Sequence, residues 1–177
     1  MLNKTSTHTF ILIVGVILDQ WTKFWAVGRL GDANGNPTGE KIEVIGSLWR
    51  YRLAYNEGAA FSMKPQDLIP ALHPTAFYAI FSLIAISALI YFYKKAVEPD
   101  DTLSRLGVAL ILSGALGNLA DRMRIHKVVD FIDWDFPDFI MIRWPTFNLA
   151  DSWVCIGVAL IFVASWIAPK KIEKTNE

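Results

Sequence analysis

The tetrapeptide Asn-Leu-Ala-Asp occurs twice in this chain, at residues 118–121 and 148–151, once at the tail of a long apolar run and once at the head of the next. An ionisable side chain at bilayer depth costs roughly 2.5–3.5 kcal/mol on insertion scales, so a carboxylate at such a place is read first as functional. Another aspartate, Asp130, follows two valines and precedes Phe131 and Ile132. Apolar flanks of that kind strip water from a carboxyl and raise its pKa. Two aspartates brought together share one proton, because both do not readily ionise at close range. One then activates a water as general base while the other protonates the carbonyl oxygen or the leaving group. That is peptide hydrolysis without a metal. Rival chemistries lack their residues: no serine sits in a nucleophile elbow and no glycine-rich phosphate loop follows a strand. Cys155, the single cysteine, has no evident activating base and reads as helix packing, while His8, His73 and His126 are isolated, without metal-ligand spacing. No cofactor and no metal are expected, although a metal held by carboxylates stays open in principle.

The elements that must position these residues are membrane spans. The chain is 53% hydrophobic, with seven tryptophans and eleven phenylalanines in 177 residues, and its mean hydropathy is +0.33. Formal net charge is zero, so no global field argues for nucleic acid. A span needs about 20 mostly apolar residues. Four segments qualify, at about 8–28, 75–94, 104–122 and 148–168, with outer-face connections at about 29–74 and 123–147, all within one integral membrane domain covering 1–177. The first is the least regular, since Asp19, Gln20 and Lys23 interrupt it. A cleaved secretory signal is the alternative there, but two charges and two tryptophans before the weak small-residue site fit it poorly. Up-and-down threading puts both termini on one side. It gathers Asp19, Lys23, Asn118, Asp121, Arg122, Asn148 and Asp151 at the opposite surface. Lys4, Lys94, Lys95, Arg105, Lys170, Lys171 and Lys174 lie on the terminal side, most of them tight against span ends, which places the termini in the cytoplasm.

Both outer connections carry unusual sequence. Residues 31–39 read as turn or flexible loop, and after them Ile42, Val44, Trp49, Tyr51, Leu53 and Tyr55 alternate with polar residues, the period of a small sheet. Asn56-Glu57-Gly58 then reads as a turn. Residues 124–147 mix many aromatic and aliphatic residues with aspartates, too polar to span and too greasy to float, and are expected to lie in the interface. Asp19 and Lys23, at i and i+4, fit an ion pair that makes burial tolerable. Asp121 and Arg122, being helix neighbours, point apart and are expected to bond across helices. Gly107, Gly114 and Gly117 read as close helix contact. Asp133, Asp135 and Asp138 read as a solvated rim, with Asp133 the substitute should another partner be wrong.

Five blocks in order carry a family resemblance: Asp19-Gln20-Trp21-Thr22-Lys23, Asn56-Glu57-Gly58-Ala59-Ala60-Phe61, Gly114 through Gly117-Asn118-Leu119-Ala120-Asp121-Arg122, Val129-Asp130-Phe131, and Phe147-Asn148-Leu149-Ala150-Asp151. On these the chain resembles the lipoprotein signal peptidases, the type II signal peptidases of bacteria, along nearly its whole length. The resemblance implies an intramembrane aspartyl endopeptidase that removes signal peptides from diacylglyceryl-modified prolipoproteins, cutting just before the lipidated cysteine. It implies Asp130 and Asp151 as the catalytic pair. Around them it places Asn118, Asp121, Arg122 and Asn148 as supporting polar residues, Asp19, Lys23, Asn56 and Ala150 as site-shaping residues, and Gly58 as a point of close backbone approach. The implied fold is an all-α membrane protein, a four-transmembrane-helix bundle with a small outer-face β-sheet and an interfacial amphipathic helix. Implied too are the inner membrane as location, a site near the outer leaflet, prolipoprotein and membrane lipid as partners, and a monomer. Ser113 departs from the pattern, standing where the family usually has the first glycine of a pair, and Asn34-Gly35-Asn36-Pro37 looks like an insertion. Two other classes remain: a small ion-coupled transporter, for which no charged path through spans 2 and 4 is visible, and a passive helical adaptor, which leaves the carboxylates unexplained.

Overall fold

Long apolar runs free of internal proline, bounded by charge pairs and Pro/Gly-rich connections, dictate helices that satisfy their own backbone. A computed structural model describes residues 4–58, 74–136 and 144–167. It contains helices α1 (Lys4–Leu30), α2 (Pro74–Lys95), α3 (Thr102–Ile125) and α4 (Leu149–Ile167) and strands β1 (Ile42–Ile45), β2 (Trp49–Asn56) and β3 (Val128–Trp134). All four helices are long and apolar enough to cross a membrane.

Helix α3 is the hub, packing against α1, α2 and α4. Its contact with α4 is backbone on backbone. A Cβ built at Gly157 would lie 2.5 Å from Gly107 O, and one at Gly107 would lie 2.6 Å from Gly157 O; one at Gly114 would collide with Ala150 O. Small residues spaced two turns apart on both helices allow this approach, which is how helices associate where lipid offers no hydrophobic drive. Gly157→Val is therefore expected to destabilise the protein by about 1–3 kcal/mol through overpacking against a carbonyl that has nowhere to go. Thermal unfolding in detergent would show it, and an unchanged midpoint would rule out the contact. Ser113, the departure from the family pattern, is fully buried and satisfied, since its Oγ donates to Leu12 O at 3.2 Å. Cys155, expected in a helix contact, is exposed.

The sheet has the order β1-β2-β3, antiparallel throughout. It rests on the end of α1, where Ala26 and Leu30 pack against Leu53, Val129 and Phe131. Before it, the turn at residues 31–37 closes on the Asp32 carboxylate, which accepts from Asn34 N and Asn36 N at 2.8 Å each. Tyr55 fastens that turn to β2 by donating to Gly35 O at 2.6 Å.

β3 corrects one expectation. Residues 128–134, assigned to a segment lying in the interface, form a strand paired with β2. The helix expected there falls partly on residues 137–143, outside the described residues. Strand alternation is hidden at β3 because both of its faces are buried from Val128 to Phe131, and a strand covered on both sides reads as a continuous apolar run.

Candidate active site

Four chain segments converge where the sheet meets the ends of α1 and α3 and the start of α4. β3 carries Asp130, opposite Ala54 on β2, and Asn56 lies two residues further along the same face of β2. Asn56 is thus the last residue of a strand; its side chain bonds Asp130 and accepts from Gly58 N at 3.0 Å.

After β3 the chain returns as a short antiparallel ladder. Phe147 N donates to Ile132 O at 3.0 Å, and Phe147 O accepts from Ile132 N at 2.8 Å and Phe131 N at 3.0 Å. This seats the first turn of α4 beside Asp130. Asn148 and Asp151 form a reciprocal cap: Asp151 N donates to Asn148 Oδ1 at 3.0 Å, and Asn148 N donates to Asp151 Oδ2 at 3.2 Å. The remaining Asp151 oxygen accepts from Asn118 Nδ2 on α3 at 2.8 Å. Asn148 Nδ2 meanwhile donates to Asp130 Oδ1 at 2.6 Å and to Asn118 Oδ1 at 3.2 Å. One fully buried asparagine therefore holds both aspartates, Asp151 by its backbone and Asp130 by its side chain.

Asp130 is 3% exposed. Burial, with the negative charge of Asp151 beside it, pushes its carboxyl up to about 7 against the hydrogen bonds from Asn148 and Asn56 and the charge of Lys23.

Beneath this pair lies a buried ionic layer. Lys23 Nζ sits 2.9 Å from Asp19 Oδ2 and 3.0 Å from Asp121 Oδ2, with all three side chains fully buried, and donates to Asn118 Oδ1 at 2.8 Å. Asp19 Oδ1 accepts from Ala150 N at 2.9 Å, so a carboxylate of α1 caps the start of α4. Ala150 is itself fully buried. Asp121 accepts from Val129 N at 3.1 Å and thereby ties α3 to the strand bearing Asp130. Its neighbour Arg122 points elsewhere, donating to Gly58 O at 3.3 Å and lying over the Tyr78 ring at 5.3 Å, within the fields of Asp151 and Asp130. All eleven site residues named from sequence thus belong to one connected cluster.

Some particulars differ from expectation. Gly58 offers its backbone N–H and carbonyl, but a Cβ there would make only ordinary contacts, at 3.8 Å or more, so close approach is not what its lack of a side chain serves among the described residues. The tight glycine is Gly117, where a Cβ would strike the Asp19 carboxylate. Asp133 is no solvated rim. Its side chain is fully buried and paired with Arg50 at 3.1 Å and Arg52 at 3.2 Å, which occupies it structurally; Asp138 lies outside the described residues. Gln20, expected only as an interruption of the first span, and Arg124 also join the cluster. Gln20 Nε2 donates to Gly117 O at 3.0 Å and to Asp121 Oδ1 at 3.2 Å, and Arg124 pairs with Asp121 at 3.3 Å. An amide inside an apolar span was the available signal for Gln20.

A model of the signal peptidase (SPase) II family matches residues 11–167. Among curated proteins, the lipoprotein signal peptidase of Neisseria meningitidis serogroup C is 32% identical, over 97% of each chain. That of Geobacter sulfurreducens is 35% identical over 86% of this chain and 87% of its own, and that of Syntrophotalea carbinolica 36% over 72% and 74%. A solved bacterial membrane enzyme, determined in meso at 2.3 Å, superposes with a TM-score of 0.75 at 31% identity, covering 97% of this chain and 94% of that one.

Proposed function

The chain belongs to the signal peptidase (SPase) II family, multi-pass bacterial membrane peptidases that take signal peptides off prolipoproteins, and from that membership we propose an aspartyl mechanism with Asp130 and Asp151 as the catalytic pair. The observation that carries this reading is the bridge of Asn148 between the two carboxylates. Charge balance supports it as well. Asp19, Asp121, Asp130 and Asp151 face Lys23, Arg122 and Arg124. One proton held by the pair leaves this cluster neutral, whereas full ionisation strands a negative charge in a poorly hydrated place.

In the proposed reaction the ionised carboxyl, assigned to Asp151, takes a proton from water as its oxygen attacks the scissile carbonyl carbon. Asp130 gives its proton to the carbonyl oxygen. The gem-diol intermediate then collapses: one of its hydroxyls returns a proton to Asp130, the C–N bond breaks, and the leaving nitrogen takes the proton held by Asp151. Arg122 supplies positive charge beside the developing oxyanion. The substrate is a diacylglyceryl-modified prolipoprotein, cut just before the lipidated cysteine. The enzyme works as a single membrane domain and as a monomer in the inner membrane, with both termini cytoplasmic and the site near the outer leaflet.

The pH dependence follows with a definite sign. With its carboxyl pushed up to about 7, Asp130 carries its proton below that value and loses it above, so kcat/KM, which reports the acid and base of the free enzyme, falls as pH rises through it, and the limits of the profile belong to the pair as a unit. Folding is linked in the same direction. A carboxyl whose pKa is raised by folding contributes stability fully present below its unfolded value, and that stability is lost as pH climbs through about 7. Purified protein in lipid bicelles, assayed on lipid-modified and unmodified prolipoprotein from pH 4 to 9, tests both points. A flat profile overturns the shared proton, and equal cutting of the unmodified precursor overturns the substrate.

A further inference from the structure

Away from the aspartate pair, an ionic clasp joins β2 and β3 to the segment that enters α4. Arg52 on β2 lies with Nε 3.2 Å from Asp133 Oδ1, off the line of its N–H, and donates from a terminal nitrogen to Thr146 Oγ1 at 2.6 Å. Asp133 also pairs with Arg50, which reaches Asp135 at 2.5 Å. The clasp is therefore balanced, two arginines against two aspartates, and has no charge left over for substrate.

Its place in the chain gives it a consequence at the site. Asp133 is three residues from Asp130 on the same strand, and Thr146 is two residues from Asn148. Between these anchors lies the bridge from Phe147 to Phe131 and Ile132, a pairing too short to hold its own register firmly. Antiparallel pairing fixes which residues face one another but leaves slippage and splay to side-chain pairs.

We propose that Arg52, by gripping Asp133 and Thr146 at once, is a positioning residue that sets the separation of Asp130 and Asp151. The inference rests on the aspartyl reading of the site. An arginine suits the task because its spread-out guanidinium can donate to Thr146 from one end while the other lies as a charge against Asp133, whereas a lysine is a point charge that serves one well. The groups that bear on Asp130 are Asp151, Lys23 and Arg122; those facing Asp133 are Arg50 and Arg52. No residue of the clasp belongs to the first set, so weakening it changes the pair through geometry.

Thr146→Val keeps the shape and removes only the hydroxyl; Thr146→Ser keeps the hydroxyl. Valine is expected to lower kcat about tenfold with KM little changed, the order of loss that sub-ångström misplacement produces. It should also move the alkaline limb of the kcat/KM profile to lower pH, since a wider gap weakens the repulsion that holds the Asp130 proton. Serine should restore both, and Arg52→Lys should behave like valine. A normal kcat and profile in Thr146→Val overturns the proposal. So does a lower kcat with an unmoved profile, or with no rescue by serine, because that is general loosening. Titration of 13C-labelled aspartate, assigned with Asp130→Asn, separates this from the mechanism. If Asp130→Asn cleaves normally, the catalytic reading falls, yet a lowered Asp130 titration in Thr146→Val still supports the clasp and an unmoved one overturns it.

Discussion

Asp130→Asn and Asp151→Asn proteins are each expected to lose prolipoprotein cleavage by at least about a thousandfold while remaining folded. General acid–base catalysis is worth 10²–10⁴ per group, and groups that act on one proton fail together. The two substitutions are expected to cost similar amounts of stability, because each carboxylate is met by two hydrogen-bonding side chains or backbone groups. At position 130 two side chains converge, Asn148 Nδ2 on Oδ1 at 2.6 Å and that of Asn56, so an asparagine there satisfies one and meets the other with its own NH₂. At position 151 both carboxylate oxygens accept N–H bonds, from Asn118 Nδ2 and from Asn148 N. An asparagine there satisfies one donor and confronts the other with its own NH₂, at a cost of about 1–3 kcal/mol for the group left unmade. Matched inactivity, far larger than modest and similar shifts in the unfolding midpoints explain, is the expected signature. Near-normal turnover by either folded variant removes that residue from the reaction, and inactivity tracking only the midpoints makes the effect structural.

What the sequence disclosed and withheld divides along the range of the interactions. The four helices were readable because each apolar run carries its own signal, and the carboxylates were readable because they interrupt those runs. Asp19 and Lys23 were expected to pair because four residues on a helix bring them together, and they lie 2.9 Å apart. Asp133 was misread because its arginines come from β2, 83 and 81 positions away in sequence, and nothing near Asp133 announces them. β3 was misread for a related reason: its apolar run reflects burial on both faces, one of them against α1. Gly107 and Gly114 suggested a close helix contact, but their partner Gly157 becomes visible only once α3 and α4 are laid together. Residue types gave the chemistry of the cluster; its wiring, in which the asparagine of one tetrapeptide bonds the aspartate of the other, needed the fold.

The largest expected effect on stability lies at Lys23. Removing one partner of a buried ionic group leaves the others uncompensated and costs about 3–5 kcal/mol, whereas replacing the group as a unit is often close to neutral. Lys23→Met strands Asp19 without its cation and leaves Asp121 with Arg124 alone. It is expected to lower the unfolding midpoint more than any change at the aspartate pair. Adding Asp19→Asn should recover a large part of the loss while leaving activity low. The reason lies in the amide of Asn118. A lysine is a donor only, so Lys23 fixes Asn118 Oδ1 toward itself and turns Nδ2 to Asp151. A methionine gives no such direction, and the amide that steadies Asp151 loses one of the two donors that orient it, keeping only Asn148 Nδ2. Stability restored without activity separates the ionic role of Lys23 from its orienting role. Activity restored in step with the midpoint shows that burying its charge partners safely is all that Lys23 does.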